Sequence, residues 1–98
     1  MIARMRIFRS PWGEIELTKE RKEHILFFHP EVASCLRFFP LALAKPHEMT
    51  SSRHDEKVII CYYFLAQRKT YLAIVIKLKP RSNFVLTAYL SKKIKKTL

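Results

Sequence analysis

The chain contains a single glycine, Gly13, in 98 residues. Loops that cradle phosphates with consecutive backbone N–H groups need several glycines, so P-loop and dinucleotide-binding chemistry is excluded. Cysteine is nearly as scarce. Cys35 and Cys61 have neither the spacing of a metal site nor the density of a disulfide scaffold, and they read as small buried apolar residues in a reducing compartment. No apolar run approaches the length of a membrane span, and residues 1–9 alternate apolar and basic residues where a signal peptide would be unbroken. We therefore expect a cytoplasmic protein with no membrane partner.

Acidic residues are missing from the last 42 residues. Glu56 is the last of them, whereas Lys57, Arg68, Lys69, Lys77, Lys79, Arg81, Lys92, Lys93, Lys95 and Lys96 all follow. The whole chain carries 19 Lys and Arg against 8 Asp and Glu, a formal net charge of +11. A field of that size attracts a polyanion, RNA first and an anionic membrane surface second, and its self-repulsion destabilises a fold that nothing neutralises. Hydrolases built on paired carboxylates or bound divalent metals are disfavoured. Neither a metal nor an organic cofactor is expected.

What is present suffices for a core. With 49% hydrophobic and 12% aromatic residues, 98 residues make one domain, with 1–13 as an N-terminal extension and 91–98 as a basic tail. Ser10-Pro11-Trp12-Gly13 marks a turn, and Glu14 to Leu17 alternates like a short edge strand. Thr18 suits an N-cap and Glu20 the first turn, so a helix should run to about residue 28. Pro30 opens a second helix in which Val32, Leu36, Phe39 and Leu43 recur at helical spacing, with a kink expected at Pro40. From His47 the period becomes two. Strands are expected over 58–65, 71–79 and 84–90, with 48–53 adding a fourth and Arg53-His54-Asp55-Glu56 as its hairpin turn. The fold class is α+β, with two N-terminal helices on one face of a three- to four-stranded antiparallel sheet.

The chemistry-bearing residues gather on the face those helices leave uncovered. By alternation Lys77, Thr87 and Tyr89 share it, with Lys79, Arg81 and one ring of the Tyr62-Tyr63 pair nearby; turns and helix ends add Arg53, His54, His24 and His29. At 100° per residue His24 falls on or beside the buried stripe of the first helix, so its plain reading is a core histidine with one hydrogen bond. His29 lies about 140° further round, and the two do not form a zinc pair. Such a list suits RNA cleavage without a metal: an imidazole removes the 2′-hydroxyl proton, another group protonates the leaving oxygen, and cations stabilise the phosphorane. Interleaved cations and aromatics can equally be a solvated face.

The order of motifs resembles a known group. Ile15 through His24-Ile25, then His29-Pro30-Glu31, Ser52-Arg53, Tyr62-Tyr63, the strand from Tyr71 to Lys77, and Leu86-Thr87-Ala88-Tyr89 together are similar to the phage-type barnase, EndoU, colicin and RelE-like (BECR) nucleases, over about residues 14–95. The resemblance implies two helices on a four-stranded antiparallel sheet and a metal-independent endoribonuclease, often a toxin countered by an antitoxin or a phage or mobile-element effector. It also implies that His24, His29, Arg53, Thr87 and Tyr89 occupy the family's site positions. His24 is then base or acid with His29 or His54 as counterpart, Arg53 and Lys77 stabilise the phosphorane, and Thr87 and Tyr89 position the phosphate. His54, Tyr62, Tyr63, Lys79 and Arg81 would contact RNA. The alternative is a non-catalytic module of the same fold that binds RNA or a partner, such as an acidic antitoxin.

Overall fold

The segment expected to be an extension is half of a hairpin. In the computed structural model, which describes residues 5–95, Met5–Ser10 (β1) pairs antiparallel with Gly13–Thr18 (β2) across Pro11 and Trp12. The Ser10 hydroxyl closes the turn, donating to the Gly13 carbonyl (2.8 Å) and accepting the Trp12 N–H (3.1 Å). Gly13 has φ +102°, where a Cβ is strained, so the single glycine sits where the turn requires one. The remainder of the expected extension and basic tail, residues 1–4 and 96–98, lies outside the described residues.

Thr18 caps the first helix, Lys19–Phe28 (α1), by accepting the Arg21 N–H at 3.1 Å. His29 leaves helical geometry ahead of Pro30, and its N–H still closes α1 on the Ile25 carbonyl at 2.7 Å. The next nine residues, Pro30–Phe38, form a 3₁₀ helix where an α-helix was expected. Three residues per turn place Val32, Cys35 and Phe38 in one row, and Val32 and Cys35 are buried. Leu36, assigned to the buried row by α-spacing, is only half-buried. Pro40 then stands near the start of a separate short helix, Phe39–Ala44 (α2), where its missing donor costs nothing.

Glu48–Ser51 (β3), Val58–Leu65 (β4), Thr70–Lys77 (β5) and Asn83–Ser91 (β6) follow as an antiparallel meander. The sheet is nevertheless six-stranded and mixed, in the order β1-β2-β6-β5-β4-β3, because β2 joins β6 in parallel through Ile15↔Asn83 and Glu16↔Phe84. This corrects the expected three- or four-stranded antiparallel sheet. Apolar residues on both faces of β1 hid its alternation: Phe8 enters the core while Met5 and Ile7 face outward and stay exposed.

One sheet face carries Phe8, Ile15, Leu17, Cys61, Leu65, Leu72, Ile74, Ile76, Val85 and Ala88 against Ile25, Val32, Cys35, Phe39 and Leu43 of the helical layer. Fully burying each large aliphatic side chain contributes roughly 1.5–3 kcal/mol. A bulge in β6 sets which residues reach the other face. Val75 pairs with Thr87 but Ile76 with Val85, so Leu86 is the extra residue, Val85 turns into the core and Phe84 turns out beside Lys77. Strict alternation had put Val85 with Thr87 and Tyr89. No helix among the described residues is long and apolar enough to cross a membrane.

Candidate functional site at the β6 edge

Four rows cross the face opposite the helices. The register gives Val58–Lys77–Phe84, Thr50–Ile60–Val75–Thr87, Glu48–Tyr62–Ala73–Tyr89, and Phe64–Tyr71–Ser91. Lys77, Thr87 and Tyr89 therefore do share a face, but they form a diagonal track and not a single cluster. With a strand rise of about 3.3 Å and a strand spacing of about 4.8 Å, the Lys77 and Tyr89 backbones lie about 14 Å apart.

The Tyr89 end of the track is the better organised. Ala73 separates Tyr62 from Tyr89 in their row, and its small side chain lets the two phenols meet across it; Tyr62 and Ala73 are both fully buried. Burial, then the nearby Tyr62 hydroxyl and its hydrogen bond, push the Tyr89 phenol up to about 12. Tyr89 thus keeps its proton. The chain turns back after β6, and the Lys95 N–H reaches the Tyr62 hydroxyl at 3.2 Å. This face is accordingly not open at Tyr62, whose ring cannot stack on a base as expected.

Helix α1 packs beside β6 where β2 leaves off, which brings its end to Tyr89. The His29 ring lies 6.0 Å from that of Tyr89, and Glu31 Oε2 stands 3.6 Å from His29 Nδ1. The His29 backbone is fixed from both sides, since its N–H closes α1 and its carbonyl accepts the Val32 N–H at 3.0 Å. An imidazole with a carboxylate beside one nitrogen can accept a proton on the other while its ring is oriented. Glu31 entered the sequence reading only as part of the His29-Pro30-Glu31 motif, without a role at the site. Its position two residues after His29 was the available signal.

His24 is placed differently from the expectation. Only Ile25 of α1 is buried, because the helix flanks the sheet edge more than it lies across the core, and His24 is exposed. Its ring stands 4.7 Å from that of Phe28, and it borders a shallow hollow with Thr18, Glu20 and Arg21. It is not a core histidine.

The Lys77 end is not the carboxylate-free platform anticipated. Asp55, from the β3–β4 loop, pairs with the Lys77 ammonium and also accepts the Lys57 N–H at 2.9 Å. These contacts, the Lys77 hydrogen bond first, hold the Asp55 carboxyl below its ordinary range. Lys77 is therefore partly neutralised, a pairing hidden from a reading that counted acids only along the sequence after Glu56. Glu14, Glu16 and Glu48 also stand on strands of the sheet. Arg53 and His54 are exposed in the same loop, where the His54 N–H meets the Ser52 hydroxyl at 3.3 Å.

Of three further expected RNA contacts, Tyr63 lies on the other face, Arg81 in a turn, and Lys79 beside Phe84 near the Lys77 end. Tyr63 points to the helical side, with its ring centroid 6.1 Å from Phe38 and 4.5 Å from His47, whose Nδ1 accepts the Phe64 N–H. Lys79 lies over the Phe84 ring, 5.5 Å from its centroid, and Arg81 is exposed in the β5–β6 turn. Asn83, unremarked in the sequence, accepts the Lys79 N–H (3.2 Å) and donates to the carbonyls of Trp12 (3.1 Å) and Glu14 (3.3 Å). Among the described residues no group of three or more His, Cys, Asp and Glu gathers as metal ligands. Comparison with protein-family models, curated proteins and solved structures finds no match.

Proposed function

We propose that this protein is a metal-independent endoribonuclease acting at the β6 edge. The observation that carries the reading is His29, whose Nδ1 stands 3.6 Å from Glu31 and whose ring lies 6.0 Å from that of Tyr89, on a protein of net charge +11. His29 takes the proton of a ribose 2′-hydroxyl, the 2′-oxygen bonds to phosphorus, and the bond to the 5′-oxygen breaks. The products are a 2′,3′-cyclic phosphate and a 5′-hydroxyl. Tyr89 and Thr87 donate to the non-bridging oxygens, and His24, exposed on the same helix, protonates the leaving oxygen. Lys77, Arg53 and His54 hold the strand further along the track as phosphate contacts. Cys35 and Cys61, both free and buried, suit a reducing cytoplasm.

The test is cleavage of a labelled single-stranded RNA in excess chelator. His29→Ala should lose at least about a hundredfold in rate, the usual share of a general base, while keeping most RNA affinity. A parent protein that binds the RNA but leaves it intact would remove the enzyme.

A non-catalytic partner-binding module is favoured by one feature. Phe27 and Phe28 are 79% and 60% exposed on α1, next to the histidines, which is unusual for aromatic rings without a cover. An acidic antitoxin seated there would mask the same edge. Co-expression with the neighbouring reading frame and a pull-down on Phe27→Ser would test it; equal capture by parent and variant counts against this surface.

A further inference from the structure

A cleft on the other face of the sheet from the Lys77–Tyr89 track is built for a different contact. It lies on the helical side of the sheet, between the 3₁₀ helix, α2 and the end of β4, and has a volume of about 610 Å³, within the range of small-ligand sites. Its wall includes Arg37, Phe38, Leu41, Tyr63, Gln67 and Arg68, and no acidic residue lines it.

The rings there form a column. The Arg37 guanidinium caps Phe38 at 4.9 Å from the ring centroid, Phe38 stacks on Tyr63 at 26°, and Tyr63 stacks on His47 at 19°. The column arises because alternation sends Tyr63 to the face opposite Tyr62, and the three-residue turn puts Phe38 in the row of Val32 and Cys35, over β4. Across the cleft Arg68 is fixed, its guanidinium donating to the Ser34 hydroxyl (2.6 Å) and the Cys35 sulfur (3.3 Å).

We propose that this cleft binds one nucleotide of a single-stranded RNA, with the base stacked on Phe38 and the phosphate between Arg37 and Arg68. The Phe38 ring carries the exposed Arg37 guanidinium, a contact worth a few-fold, whereas a base on an aromatic ring is worth roughly ten- to a hundredfold in affinity. The base displaces Arg37 from the ring, and the freed guanidinium turns to the phosphate. An acidic peptide would satisfy the arginines but leave the column unused. The assignment rests on these residues alone and is independent of whether the β6 edge cleaves.

The test uses the full chain and two probes. One is uridine 5′-monophosphate, followed by ¹H–¹⁵N NMR; the other is a fluorescein-labelled mixed-sequence 2′-O-methyl octanucleotide, which cannot be cleaved through its 2′-oxygen, followed by anisotropy. Nucleotide-induced shifts should centre on the amides of Arg37, Phe38, Leu41, Gln67 and Arg68. Phe38→Leu, which keeps the apolar volume and removes the ring face, should weaken nucleotide binding about tenfold. Arg37→Ala, at an exposed position that leaves the fold alone, should weaken the octanucleotide and reduce the slope of log affinity against log salt by about 0.7. His29→Ala should leave the nucleotide shifts unchanged, which separates this site from the proposed nuclease. Three results overturn the proposal: shifts confined to the opposite sheet face, parent-like binding by both cleft variants, or equal response to inorganic phosphate or a hexaglutamate peptide.

Discussion

Replacing Ala73 by leucine probes the arrangement on which the β6-edge site depends. Ala73 is fully buried in the cross-strand row between Tyr62 and Tyr89, and its Cβ stands about 4.5–5.5 Å from theirs by sheet geometry. Three added carbons enter a space already filled by the two phenols, and overpacking of this kind costs about 1–3 kcal/mol. With a urea dependence near the lower end for small domains, the unfolding midpoint should fall by about 1–2 M. The same change parts the phenols and wets Tyr89, so its titration should move from about 12 toward its ordinary 10. Tyrosinate absorbance, with Tyr89→Phe subtracted, reads that shift. RNA cleavage should fall with it, because Tyr89 is no longer held beside His29. A leucine variant with an unchanged urea midpoint and Tyr89 still titrating near 12 would refute the reasoning.

Raising the pH should destabilise the fold by the same group: the Tyr89 pKa is raised above its unfolded value, so its contribution is complete below about 10 and is lost as pH rises through about 12, visible as a falling melting temperature. Asp55 works in the opposite direction. Its lowered pKa gives stability that is present above the ordinary carboxylate range and disappears as acid protonates it, and Asp55→Asn should abolish that part of the acid sensitivity while freeing Lys77 and tightening RNA binding at low salt. Phe39→Ala removes a fully buried ring packed 6.0 Å from Phe8 and should cost about 3–5 kcal/mol in urea unfolding. Lys69 occupies the left-handed region at φ 52° in the β4–β5 turn, and Lys69→Gly should stabilise the protein by up to about 1 kcal/mol in the same assay.

The strands from Val58 to Ser91 were legible because strict alternation and the turns at Gln67 and Pro80 are local signals. The sixfold sheet was not, since joining β2 to β6 is a contact between residues far apart in the chain and only two residue pairs make it. Nor could α-spacing reveal the 3₁₀ helix, in which Cys35 replaces Leu36 as the inward residue. The site was partly visible. His29 and Tyr89 were named from their motifs and do meet, whereas Tyr62 and Tyr63 were assigned by residue type without knowing which face each takes. Asp55 shows the weakest inference, that strands without acids make a face without acids: the β3–β4 loop carries one in beside Lys77.

The short parallel junction between β2 and β6 has a consequence for how the molecule assembles. Asn83 braces it by hydrogen bonds to carbonyls 71 and 69 residues away, while the terminal hairpin and the meander each consist of neighbours in sequence. Those halves can gain most of their pairing early, and the entropy of closing so long a loop falls on this one seam. We expect its zipping to limit the folding rate, so that Asn83→Ala slows refolding in stopped-flow measurements; an unchanged refolding rate would count against this.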